Sequence, residues 1–237
     1  MAIVCNFAGS VHDYQQGKGF AVWLIAVRPQ RCPHCGSTHC TIFWGCYLRW
    51  VYTTTERFQV RIERVRCTAC GVTDALLPSF LHMFRRYTLI LIQQTLTLAL
   101  EHGVWGQALV AAVGPYHQPA PATLREWVWS FVLSAQAWLL AWLLTTLSTL
   151  DPFTPLPPQR WNPPAYLPTI SHPARRAAFT HGWQTLRLAE TLYATARTRQ
   201  PTLIFQAEAL CAFLAAALGA AGRVPRFLWP QATARAP

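Results

Sequence analysis

Two copies of one short pattern, Cys32-Pro-His-Cys35-Gly36 and Cys67-Thr-Ala-Cys70-Gly71, constrain this chain more than anything else in it. A C-x-x-C pair brings two sulfurs round a tight turn. The glycine that follows supplies the backbone freedom the turn needs. Thirty-one residues separate the pairs, room for a strand out and a strand back. Four thiolates would then meet at one point and fill the tetrahedral shell of a zinc ion, leaving no open position. The spacing predicts one structural zinc held by Cys32, Cys35, Cys67 and Cys70, the centre of a zinc ribbon. A single C-x-x-C would also suit a redox dithiol; two with matching glycines suit it poorly. His39, Cys40 and Cys46 stand near enough in sequence to substitute as ligands. His34, inside the first knuckle, is expected to point outward, and Cys5 and Cys211 to be buried small apolar residues.

Around these pairs the patterning predicts an α+β chain. Ala21 to Val27 reads as a buried strand, and Thr41 to Tyr52 and Arg57 to Arg66 as strands of a small sheet. In the last run Arg57, Gln59, Arg61, Glu63 and Val65 fall on one face, with Phe58, Val60, Ile62, Arg64 and Arg66 on the other. From Tyr87 the pattern turns helical. One helix is expected to His102, stopped by Gly103, and a short one from Trp105 to Val113, stopped by Gly114-Pro115. A third is expected to be N-capped by Thr123, with Glu126 three residues on completing a capping box. The organisation that follows is a zinc-ribbon domain over 1–86 and a helical region over 87–150. A linker with eight prolines over 151–173 and a small helical tail with a basic end over 174–237 complete it.

Charge narrows the class of partner. Twenty Lys and Arg face nine Asp and Glu, for a net +11, and Lys18 is the only lysine. Genome composition accounts for part of the arginine, but a net charge of this size calls for an anionic partner. Arginine's planar fork suits phosphates and guanine edges. Nine arginines and three acids lie between Arg28 and Arg86, a sum of +6. Zinc with four thiolates contributes about −2, so the ribbon stays basic at roughly +4. Three helices opening into Thr123-Leu-Arg125-Glu-Trp suggest a helix-turn-helix, with Arg125 as base reader and Thr123, His117 and Gln118 within reach of phosphates. Its loop, Gly114 to Ala122, is longer than the usual three or four residues.

In order, the chain carries CPHCG, a basic strand run ending RVRCTACG, Leu-Leu-Pro-Ser-Phe-Leu, Arg85-Arg86-Tyr87 and TLREW. Over residues 28–130 this resembles the N-terminal zinc-ribbon and helix-turn-helix region of bacterial insertion-sequence transposases. It is also similar to a short bacterial zinc-ribbon family related to them. The resemblance implies recognition of double-stranded DNA, with Arg85, Arg86 and Arg125 at matching positions. Arg49, Arg57, Arg61 and Arg64 on the strands join them as candidate DNA contacts. Transposases of this type continue into a nuclease domain with three spaced carboxylates. Here only Asp151, Glu190 and Glu208 follow the helices, without alternating strands and helices around them. No catalysis is therefore expected, and phosphate-loop, nucleophile-elbow and H-E-x-x-H motifs are absent from the sequence. The reading is a zinc-dependent DNA-binding protein, a transposon-related regulator or accessory factor.

Two rivals remain. The ribbon could be a structural module of a protein–protein adaptor, with the apolar helices as an interface or a surface for self-association. Alternatively Trp127 to Leu150, 24 residues without a charge, is long enough to span a bilayer. Its four Trp, at 127, 129, 138 and 142, are not confined to the ends as an interfacial belt would be. A core helix is the preferred reading. With no signal peptide visible and thiols suited to metal, a cytoplasmic location is expected. The basic end, with Arg223, Arg226 and Arg235, reads as solvated chain.

Overall fold

The computed structural model describes residues 2–5, 7, 9–81, 87–114, 119–152 and 161–199, with 210, 213, 214 and 217. Arg85, Arg86, His117, Gln118, Cys211, Glu208 and the basic end lie outside the described residues. The fold is α+β. Strands β1 (Ala2–Cys5), β2 (Thr41–Tyr52), β3 (Arg57–Cys67) and β4 (Thr73–Pro78) form a sheet in the order β1-β4-β3-β2. The three long-range neighbours β2, β3 and β4 are antiparallel, and β1 joins β4 in parallel. Both β2 and β3 fall where the alternation predicts. Neither β1 nor β4 announces itself in the sequence, being short and nearly uniformly apolar.

Alternation in β3 slips midway. Phe58, Val60 and Ile62 are buried, then Glu63, Val65 and Cys67. Opposite this slip lies a bulge in β2, where Trp44 and Gly45 together face Arg64 and Gly45 takes φ +94°. The extra residue re-aims the strand toward the cysteines.

The run Ala21 to Val27 is a helix, not a buried strand. Helices α1 (Val11–Gln15) and α2 (Phe20–Val27) lie before the first knuckle. A short apolar run carries no period of its own, and here Phe20, Trp23, Leu24 and Val27 share the i, i+3, i+4, i+7 face that packs on the sheet. Val22 and Ile25, on the other side, are exposed. Phe7, Tyr14 and Trp23 pack edge to face, with centroids 5.0 to 5.8 Å apart, above Val60 and Ile62.

Helices α3 (Leu89–Leu100), α4 (Gly106–Val113), α5 (Pro121–Ser134), α6 (Leu140–Leu150) and α7 (Pro173–Arg199) build a second core. A π-helical turn, Ala135–Leu139, joins α5 to α6 in one run of 30 residues. That run is long and apolar enough to cross a membrane by length and composition. It also buries a stripe, Leu124, Trp127, Val128, Phe131, Val132, Leu139, Leu143 and Leu147, in the core shared with α3, α4 and α7. The expected capping box at Thr123 does not form. The helix begins three residues earlier, with Ala120 as N-cap and Pro121 in the first helical position, where a missing N–H costs nothing. Thr123 therefore lies inside the first turn.

The segment read as a tail is integral to this core. Phe179, Trp183, Leu186 and Leu192 of α7 are buried in it, and Gly182 lets α7 approach α5 so closely that a Cβ there would meet Val132 Cγ2 at 2.8 Å. Part of the proline segment packs too: Leu167 is buried, and the Tyr166 hydroxyl donates to the Leu100 carbonyl at 2.7 Å. Arg187 bridges Glu101 at 2.8 Å and Glu190 at 3.2 Å, and Arg199 meets Asp151 at 3.0 Å. Two of the three late carboxylates thus hold ion pairs within the bundle.

Candidate metal centre

The two knuckles are built alike, bond for bond. In the first, Gly36 N–H donates to the Cys32 carbonyl at 2.9 Å and Cys32 N–H to Ser37 O at 2.8 Å. In the second, Gly71 N–H donates to Cys67 O at 2.9 Å and Cys67 N–H to Val72 O at 2.9 Å. Both glycines take φ +74°, a conformation an L side chain adopts only at a cost. This is the requirement that the matching C-x-x-C-G patterns encode. A backbone N–H also points at the first sulfur of each knuckle: His34 N–H at Cys32 Sγ, 3.4 Å, and Cys70 N–H at Cys67 Sγ, 3.5 Å.

Pairing of β2 with β3 brings the knuckles together, because Thr41 stands opposite Cys67 in the register. The four Sγ atoms all lie within 4.8 Å of one another, with Cys32–Cys70 at 3.8 Å and Cys35–Cys67 at 3.7 Å. Cys32 and Cys67 are buried; Cys35 and Cys70 are exposed. Among the described residues, no other group of three or more His, Cys, Asp or Glu is placed to hold a metal ion. Four sulfurs at these separations could take one ion between them and leave it no vacant protein position.

Two neighbours make contacts that the sequence reading did not assign them. His34 does not point outward: its Nε2 reaches Asp74 Oδ2 of β4 at 2.7 Å, tying the first knuckle to the sheet. Cys40 is the nearest further sulfur. Its Sγ lies 3.2 Å from Cys67 Sγ and 3.1 Å from the Ser37 carbonyl, in a cluster with Cys32 and Cys67. The Cys70 N–H and the surrounding donors hold the Cys67 thiol down to about 6. The hydrogen bond to Cys67, with burial, pushes Cys40 up to about 11. Cys40 gives its S–H to the Ser37 carbonyl, and its sulfur faces Cys67 Sγ at hydrogen-bond distance. A third cysteine one residue before the strand that begins opposite Cys67 was the available signal. Cys46 is exposed on β2, and His39, at φ 53°, is exposed as well.

The candidate DNA contacts divide between the two cores. Arg57, Arg61 and Arg64 are exposed along β3. Arg61 pairs with the buried Glu63. Arg49 is half-buried, and that burial depresses its guanidinium. Arg125 is exposed and Thr123 half-buried, both on α5. The structure brings the four cysteines together; it places Arg49, Arg57, Arg61 and Arg64 on the β2–β3 hairpin and leaves Arg125 on α5 in the helical part.

Sheet, double knuckle and helical bundle define an α+β protein with a four-cysteine site. Residues 32–104, the knuckles through the first helix of the bundle, match a family described as a domain of unknown function, DUF6431. No curated protein and no solved structure matches the chain.

Proposed function

We propose that the four cysteines hold zinc and that the chain is a zinc-dependent DNA-binding protein, a transposon-related regulator or accessory factor without transposase catalysis. Zinc–sulfur bonds of about 2.3 Å give a tetrahedron with sulfur–sulfur edges of about 3.8 Å. The Cys32–Cys70 and Cys35–Cys67 separations, 3.8 and 3.7 Å, suit that figure. The observation that carries the DNA reading is the exposed arginine series Arg57, Arg61 and Arg64 on the strand that ends at metal-site Cys67, in a chain of net charge +11. The metal fixes the hairpin, and the hairpin holds the cations in register. In this reading α4 and α5 act as the helix-turn-helix pair, with Arg125 in the major groove and Thr123 at the backbone. The long helix from Pro121 to Leu150 serves the protein core rather than a bilayer, and the protein is cytoplasmic.

Metal analysis of the purified protein tests the first part: one zinc per chain is expected, and iron or no metal overturns it. Duplex binding tests the second. Affinity for a 30-bp duplex should fall steeply between 50 and 200 mM salt, each released phosphate counterion adding about −0.9 to the log–log slope. A zinc-loaded protein that binds no duplex at 50 mM salt removes the DNA reading. A protein–protein adaptor is the second reading, favoured by the exposed apolar side chains of β2; its partner binding would survive Arg61→Ala and Arg125→Ala.

A further inference from the structure

Among the described residues, six of the ten exposed large apolar side chains lie on one strand. Six large apolar side chains of the 12-residue β2 are exposed, from Phe43 at 38% to Leu48 at 63%. β2 is the sheet's outer strand, with β3 on one side only. An outer strand protected against edge pairing needs charge, not tryptophan. The fold therefore does not account for Trp44 and Trp50, which are 49% and 41% exposed.

Each of these rings has an arginine set beside it. The Arg57 guanidinium carbon lies 4.8 Å from the Trp50 ring centroid, and that of Arg66 lies 4.5 Å from Trp44. The register places Leu48 and Trp50 opposite Arg61 and Gln59, so Leu48, Trp50, Arg57 and Arg61 share one face. A part-exposed ring with a guanidinium over it sets an aromatic surface next to a cation, partners for the base and the phosphate of a nucleotide. Duplex DNA hides its base faces in the stack; an unpaired strand exposes them. Spacing favours the unpaired strand too. Side chains two apart on a strand stand about 6.8 Å from each other, twice the 3.4 Å rise of a stacked strand. Bases reaching successive positions must be splayed apart.

We propose that the β2–β3 hairpin binds single-stranded DNA on the face that carries Leu48, Trp50, Arg57 and Arg61, with a base stacked on Trp50 and phosphates on Arg57 and Arg61. The inference rests on the DNA-binding reading but uses residues other than the helical pair, and the charge of the hairpin selects a polyanion over an apolar peptide. Five arginines against Glu56 and Glu63 stand between Thr41 and Cys67, and Glu63 is already paired with Arg61.

The test is fluorescence anisotropy of the full-length, zinc-loaded chain at 150 mM salt. The probes are a labelled 20-nucleotide single strand and the 20-bp duplex of the same sequence. Trp50→Ala should weaken single-strand binding roughly tenfold and leave duplex binding within twofold, whereas Trp44→Ala, beyond the bulge and on the other face, should leave both within twofold. Trp50→Phe, which keeps a ring, should recover most of the loss. Arg125→Ala should do the reverse, weakening the duplex alone. Zinc content and helical circular dichroism confirm that each variant is folded. Equal loss on both probes overturns the proposal, since charge alone would then explain binding. So does a Trp50→Ala variant that dissociates a dimer without changing single-strand affinity. If the single strand binds through Trp50 and the duplex does not bind, the groove-reading role of α5 fails and this proposal stands. If neither binds, both fail.

Discussion

Twelve buried apolar residues hold the sheet core together, against twenty-nine in the helical core, counted among the described residues. The smaller core belongs to the part with the metal site and with most of the exposed large apolar side chains. That contrast follows from size. A core of a dozen side chains supplies little net stability once chain entropy is set against it, and such small units ordinarily need a staple. In the sheet the staple is four sulfurs contributed by two turns. The bundle has none and needs none: leucines at helical spacing from α3 to α7 face one another, with ion pairs only at its rim. One half of the molecule is fixed by a point and the other by an area.

Removing the point should have the largest effect and should divide the molecule. Chelation of the zinc-loaded protein, or Cys67→Ser, is expected to remove on the order of 10 kcal/mol of binding free energy from the sheet. Hydrogen exchange would show residues 28–78 losing protection while α3 to α7 keep theirs. Equal loss in both would mean that the two cores form one cooperative unit. The converse change is Phe131→Ala. Its ring is fully buried in the bundle, and the cavity should cost about 3–5 kcal/mol in a urea melt followed by circular dichroism. Metal content should remain at one ion per chain; a fall would show that the bundle supports the site.

Two smaller changes sharpen what the site itself depends on. Cys40→Ala removes the sulfur 3.2 Å from Cys67 Sγ and its bond to the Ser37 carbonyl, and metal affinity should fall about tenfold in competition with a chromophoric chelator, at unchanged stoichiometry. An unchanged affinity would show Cys40 to be only packing. Gly71→Ala has open space around it, the nearest side-chain atom being Arg66 Nη2 at 3.8 Å, so its effect is backbone strain alone. At φ +74° that strain should cost about 1–2 kcal/mol, read as faster metal release with the melt of the bundle unmoved. No change in release rate would mean that the knuckle relaxes without cost.

Legibility followed the same division. The cysteine pairs could be read directly, because a metal knuckle fixes residue types and spacing within five positions. The starts of α3 and α4 and their glycine stops were readable from local chemistry. What failed was local evidence overruled by packing. Ala21 to Val27 has strand composition, but its Phe20–Trp23–Leu24–Val27 face found the sheet. Thr123 and Glu126 spell a capping box, but Pro121 had already begun the helix. The contacts of His34 with Asp74 and of Cys40 with Cys67 span 40 and 27 residues, and only the strand register decides them. The tail became core for a related reason: α7 is amphipathic, and its mate is a helix formed some fifty residues earlier.

The parallel pairing of Ala2–Cys5 with Ala75–Pro78 has a consequence for synthesis. Strand β1 leaves the ribosome 73 residues ahead of its partner, Ala2 opposite Ala75. At about 5–20 residues per second it waits roughly 4–15 s. Cys70 emerges before β4 is complete, so the knuckles can capture their ion and pair β2 with β3 first. The N-terminal strand then docks onto a sheet already assembled, as the closing stroke of translation through this region rather than its opening one.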